Sequence, residues 1–372
     1  MQKRIPFLAL ITVLLLLMAV SFCGCSEVPT SNGTPRDEGI KVTDMCGREV
    51  KLDGPAEKIV AIGPGALRLV CYINGADKVI GVEEMEKNNP TGRPYFMANQ
   101  DLQKLPTIGP GGPGSEPDAE KLVSIKPDVV FTCLSLEQAK ADELQAKIGI
   151  PVVVLNYGTL SCFSEEMYSS FEIIGKITGE EKRAEEVINY LKNCEKDLND
   201  RTKDIPEEKK PSVYVGGVSA RGAHGIESSY GKYPPLKAIN GKNVVDETGK
   251  EGSFSIDKEK LIDWDPEILF IDAGGLELVR EDYKKNAAFY NTLSAVKNGE
   301  IYCLIPYNWY WTNIDTALAD AYYLGKVIYP DQFKDIDPAK MADEIYQFLL
   351  GKPLFEEMIE LYNEGFKKIT LK

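Results

Sequence analysis

The chain has 372 residues, 27% of them charged, and a formal net charge of −14 at pH 7. That balance disfavours nucleic acid as a partner, because phosphate backbones are met by clustered lysine and arginine. One histidine and eight cysteines, with no Cys-x-x-Cys spacing, argue against a zinc site, a disulfide-built scaffold or a receptor holding a transition metal through several histidines.

Lys3 and Arg4 precede an apolar stretch from Ile5 to Phe22 and then Cys23-Gly24-Cys25-Ser26. A basic start, a short apolar region and small residues before a cysteine describe an export signal over residues 1–25. Gly24-Cys25 resembles the end of a lipobox, which makes Cys25 the expected lipid attachment site. An uncleaved membrane anchor is the alternative. Either way, the body is expected outside the cytoplasmic membrane, tethered to its outer face. Residues 26–39 are polar and punctuated by Pro and Gly, and read as a flexible tether.

Residues 40–160 alternate strand and helix signals. Lys58–Ile62 and Lys78–Val82 read as buried strands, Gly63-Pro64-Gly65 as a turn, and Ala66–Ile73 as a helix, with further strands at Val129–Cys133 and Ile150–Asn156. Residues 161–210 break this rhythm. Met167, Phe171, Ile174 and Ile177, then Val187, Leu191, Cys194 and Leu198, follow helical spacing, with a break near Gly175–Gly179. The alternation resumes over 211–335, from Ser212–Val215 to Glu300–Leu304 and a helix over Thr316–Val327. Residues 336–372 are helical, interrupted at Gly351-Lys352-Pro353.

One phrase occurs twice. Asp118-Ala-Glu-Lys-Leu-Val-Ser-Ile-Lys-Pro-Asp-Val-Val-Phe131 is matched 139 positions later by Asp257-Lys-Glu-Lys-Leu-Ile-Asp-Trp-Asp-Pro-Glu-Ile-Leu-Phe270. Each copy is a short charged helix, a proline that stops it and an apolar strand. A helix–strand unit cannot bury its own faces, so each copy needs a sheet around it. The expected class is α/β, with two Rossmann-like lobes of parallel-rich sheet joined by a long helical linker. Such lobes leave a cleft between them.

Covalent chemistry finds little support. A Ser-His-Asp triad would have to use His224, and Gly217-Val218-Ser219-Ala220-Arg221 lacks the last glycine of a nucleophile elbow. Gly109-Pro-Gly-Gly-Pro-Gly114 matches a dinucleotide fingerprint by letter, but its prolines remove the N–H donors that would cradle phosphate. We read it as a loop at the cleft rim. Tyr307-Asn308-Trp309-Tyr310-Trp311 follows a strand, where open α/β sheets line their ligand crevice. Four large rings in a short loop cannot all face one core, so some are expected to meet a ligand. Arg221 and, in the other lobe, Arg68 are candidates to pair with an anionic ligand group. His224 is a candidate to hydrogen-bond a ligand or approach a chelated metal. Glu120 and Glu259 hold equivalent places in the two copies, which suits a matched two-point electrostatic contact.

The set Asp44-x-x-Gly47-Arg48, Lys58–Ile62, Gly75–Val82, Lys126–Val130 and Asp265–Leu269, taken in order, resembles the metal-chelate receptors of ABC importers over about residues 42–350. That family binds ferric siderophores, haem and vitamin B12. The resemblance implies a periplasmic-binding fold of the helical-backbone type and lobes that move little. It also implies a monomeric, non-enzymatic receptor whose metal arrives within the bound chelate, with no cofactor of its own. By motif position, Glu120 and Glu259 should engage arginines of the membrane permease. An exported enzyme and a sensory or adhesion module using the same cleft are the alternatives.

Overall fold

A computed structural model of the protein describes residues 39–88, 92–112, 114–158, 161–220 and 222–372. The expected export signal, Cys25, most of the tether and Arg221 lie outside the described residues.

The body opens with an antiparallel hairpin, β1 (Ile40–Thr43) and β2 (Glu49–Leu52). Its turn explains the Asp-x-x-Gly-Arg pattern. The Asp44 carboxylate accepts from the Arg48 backbone N–H at 2.9 Å and from the Arg48 Nε at 3.0 Å, while Gly47 takes φ +87° to close the turn. Val154 N–H donates to the same carboxylate, and Met45 N–H donates to the Val154 carbonyl at 3.0 Å. Burial pushes the Asp44 carboxyl up, but these donors hold it below its usual range. The motif thus fastens the hairpin to the edge of the first sheet.

That sheet holds β3 (Ile59–Ile62), β4 (Val79–Gly81), β5 (Val129–Thr132) and β6 (Val152–Val154), all parallel, in the order β4-β3-β5-β6. The second lobe contains β7 (Ser212–Gly216), β8 (Ser228–Gly231), β9 (Lys242–Asn243), β10 (Gly252–Ser255), β11 (Ile268–Asp272), β12 (Ile301–Leu304) and β13 (Lys367–Lys368). Its main sheet runs β9-β7-β11-β12 in parallel, with β13 added antiparallel at the edge, and β8 pairs with β10. The parallel strands follow one order in both lobes, and the repeated phrase supplies the third strand of each. The terminal region ends in β13 where helix is expected, because Cys303 and Tyr302 leave an open sheet edge for Lys367 and Lys368 to pair with.

The two copies fold alike, and the reason is legible at matching positions. Leu122 and Leu261 are the buried anchors of their seven-residue helices. Lys126 and Asp265 take left-handed φ of 54° and 37°, ending each helix before Pro127 and Pro266. The acidic residue after each proline then holds the start of the neighbouring strand. Asp128 accepts from Glu57 and Lys58 N–H at 2.9 Å, and Glu267 accepts from Ser212 N–H at 2.8 Å.

The linker is two antiparallel-packed helices, Glu165–Thr178 and Glu181–Thr202, the first capped by Ser164 and ended by Gly179 at φ +77°. All eight apolar positions read from their helical spacing are buried. A Cβ on Gly175 would sit 2.8 Å from that of Ala184, which is how closely the two helices cross. Helix Pro338–Leu350 lies against helix Ile314–Ile328 and reaches the first lobe. There Arg183 donates to the Tyr72 carbonyl at 3.1 Å and stacks over Phe348 at 4.7 Å. One continuous core runs through both lobes and the linker, and each sheet has a separate core on its outer face. Among the described residues, no helix is long and apolar enough to cross a membrane.

Candidate functional site

The carboxyl ends of both parallel sheets converge on the segment that follows β12. This loop is tightly folded. Asn313 N–H donates to the Tyr307 carbonyl at 2.7 Å, Trp309 N–H to the Trp311 carbonyl at 3.1 Å, and Asn308 bridges Thr312. Tyr310 and Trp311 take successive left-handed φ of 52° and 76°. Backbone in that region is costly for bulky side chains and persists only where the surroundings enforce it.

The enforcement comes from the other lobe. Arg68 sits in the helix Ala66–Tyr72 and is wholly buried. Its guanidinium donates to Asn313 Oδ1 at 2.9 Å, to the Trp309 carbonyl at 2.8 Å, to the Tyr310 carbonyl at 3.2 Å and to Tyr157 Oη at 3.3 Å. It also stacks over Tyr95 at 4.7 Å. Around it, Tyr157 Oη donates to the Thr312 carbonyl at 2.9 Å, Tyr72 Oη to Asp315 at 2.8 Å, and Asn313 Nδ2 to the Gly92 carbonyl at 2.9 Å. Burial raises the Asp315 carboxyl above its ordinary value. These bonds tie the loop to the first lobe through one guanidinium and its neighbours.

A second tie runs through Tyr310. Its hydroxyl donates to Glu83 Oε2 at 2.8 Å and accepts from Gly112 N–H at 2.9 Å, and Glu83 Oε2 also accepts from Gly63 N–H at 3.0 Å. Burial pushes the Glu83 carboxyl up to about 7, although Tyr310 and Gly63 favour its charged form. The turn at Gly63-Pro64-Gly65 admits no side chain at Gly65, where a Cβ would stand 2.6 Å from the Tyr157 ring. In the second lobe Asp272, the last residue of β11, accepts from Gly274 N–H at 2.8 Å and Ser219 Oγ at 3.2 Å, and burial lifts it to about 6.

The expected site residues therefore separate. Arg68 and Tyr307 do not reach solvent. Arg68 is committed to the lobe interface, and Tyr307 packs on Tyr233 with ring centroids 5.6 Å apart. Tyr310 is buried as a cross-lobe bond. Trp309 is half-buried, with an indole N–H that has no hydrogen-bond partner among the described residues, and Trp311 is 38% exposed. His224 is exposed, its Nε2 2.8 Å from the Ala220 carbonyl. Glu120 and Glu259 are exposed in the first turns of their helices. Sequence reasoning missed Glu83, Tyr157 and Asn313, whose roles exist only across the lobes. Asp272 carried a signal, a carboxylate closing the apolar run Ile268-Leu-Phe-Ile. Among the described residues, no group of three or more His, Cys, Asp or Glu side chains is placed to hold a metal ion.

A family model described as periplasmic binding protein matches residues 59–307. An ABC transporter substrate-binding lipoprotein of Bacillus subtilis, itself uncharacterized, is 25% identical over 90% of this chain and 100% of its own length. An Fe(3+)-citrate-binding protein of the same organism is 25% identical over 79% of this chain and 88% of its own. A molybdate-binding protein of Haemophilus influenzae is 22% identical over 82% and 89%. Among solved structures, a periplasmic solute binding protein of Veillonella parvula shares the fold at a TM-score of 0.69 and 20% identity, over 87% of this chain and 98% of its own.

Proposed function

Because this chain belongs to the periplasmic binding protein family, as the substrate-binding component of an ABC transporter and not an enzyme, we propose that it captures a metal chelate between its lobes. The chelate is an iron–siderophore, haem or a related complex, delivered to the importer's permease. The observation that carries this reading is the loop after β12, strained, fixed to the opposite lobe and presenting Trp311 with the half-buried Trp309 at the cleft rim. Aromatic surface of this kind suits ligands with broad apolar or conjugated faces. Relatives named for ferric citrate and for iron(3+)-hydroxamate point to the same chemical class.

Charge narrows the class. Arg68 is committed to the interface, and Glu83 and Asp272 stand behind the rim. A highly anionic complex fits this setting poorly, and a neutral or cationic chelate fits better. We assign Arg221 and His224, from the segment after β7, to balance a carboxylate on the ligand. We assign Glu120 and Glu259 to permease docking, and Cys25 to the lipid tether that keeps the receptor at the outer face of the cytoplasmic membrane.

The test is tryptophan fluorescence titration with a ferric hydroxamate, ferric citrate and haem, beside molybdate and the iron-free chelators. Saturable quenching by an iron complex, weakened at least about tenfold by Trp311→Ala, is the expected result. A response to molybdate alone would replace the chelate with an oxyanion. No response to any of them would sink the reading.

A further inference from the structure

We propose that Val123 and Ile262 form a matched pair of apolar contacts, one on each lobe, through which the receptor seats on two equivalent surfaces of the importer's permease. The proposal rests on the receptor reading above. Val123 and Ile262 lie at the same position of the repeated phrase, 139 residues apart. One position earlier, Leu122 and Leu261 point inward and are wholly buried, while Val123 and Ile262 are 46% and 40% exposed. Among the described residues the other large exposed hydrophobics are Leu136, Leu278 and Trp311. Those three follow β5, β11 and β12 at the carboxyl ends of the strands, the side where a ligand enters. Val123 and Ile262 sit on helices that precede β5 and β11. Isolated exposed apolar residues are ordinary. A matched pair is not accounted for by folding, because Leu122 and Leu261 already anchor the helices.

Charge repeats in the same register. Glu120 and Glu259 stand three residues before Val123 and Ile262, on the same face of each helix. In both copies the lysine beside the glutamate is drawn elsewhere: Lys121 lies 3.5 Å from Asp118, and Lys260 lies 3.2 Å from Glu247. Among the described residues no ion pair engages Glu120 or Glu259. Each lobe therefore presents the same outward motif, an uncompensated carboxylate beside a β-branched aliphatic side chain. The partner it fits carries a cation next to a shallow apolar surface, twice over. Two contacts this small suit a weak, transient complex, in which the charges set approach and the apolar pair slows departure.

A photoreactive benzoyl-phenylalanine is placed in turn at positions 120, 123, 259 and 262 of the full chain. Each protein is cross-linked in membranes of its native host, and the captured polypeptide is identified by mass spectrometry. The expected result is one and the same permease polypeptide from 123 and 262. Capture from 120 and 259 but not from 123 and 262 overturns the apolar contacts and leaves the receptor reading standing. Capture of no permease from any position overturns both, and capture of a second copy of this chain from 123 or 262 overturns the proposal in favour of self-association. With the permease in hand, V123A/I262A keeps helix propensity and removes the apolar bulk. It should raise the half-saturating receptor concentration for importer ATPase stimulation at least about tenfold, with chelate quenching unchanged. An unchanged half-saturation overturns the proposal.

Discussion

The two copies of the repeated phrase are alike where they face outward and along the sheet, and unlike where they face the cleft. Leu122 and Leu261, Pro127 and Pro266, and the strand-holding Asp128 and Glu267 correspond one to one. At the inner end the correspondence stops. β5 runs from Thr132 into Cys133 and Leu134, and Leu134 packs close to Gly63. β11 ends instead in the buried carboxylate of Asp272. The first lobe draws its cleft carboxylate from Glu83, after β4, and the second draws its aromatic loop from the segment after β12. Backbone closure is the same problem in both lobes and has the same answer. A single interface between them requires two complementary halves, so matched residues there would be of no use.

The comparison breaks most severely at Arg68, which has no counterpart role in the second lobe. Arg68→Ala removes the donor to Asn313, Trp309, Tyr310 and Tyr157 and leaves buried acceptors unpaired. We expect a loss of about 3–5 kcal/mol in urea unfolding, the range for a broken buried network.

Glu83 gives the next largest effect. Its carboxyl is raised from 4.5 to about 7, so the folded protein holds this proton over a window in which the unfolded chain releases it. Stability from this group is therefore full at low pH and declines as pH rises between those values, by on the order of 3 kcal/mol. Glu83→Gln should reduce the difference between unfolding midpoints at pH 5.5 and pH 8 by this group's share. A slope of the same sign should remain from Asp272, raised to about 6, and from Asp315 and Asp320, whose carboxyls burial also raises.

The smallest effects sharpen the likeness. Asp128→Ala and Glu267→Ala each remove acceptors from strand-start N–H groups at an exposed site, at a cost of about 1 kcal/mol. The two losses should agree within a few tenths and add in the double variant, because the sites lie in different lobes. Unequal losses would show that the repeat does different work in its two settings.

The sequence by itself determined whatever depends on neighbours along the chain. Helical spacing identified the buried faces of Glu165–Thr178 and Glu181–Thr202, proline ended the repeat helices, and the duplicated phrase announced two like sheets. The class, the family and the position of the aromatic loop were legible for the same reason. Tertiary structure alone decided which rings of that loop stay buried and which meet solvent. Arg68 and Asn313 are 245 positions apart, and Glu83 and Tyr310 are 227 apart. No local pattern encodes such pairs, because an arginine destined for burial and one destined for a ligand look identical until a second lobe supplies the acceptors.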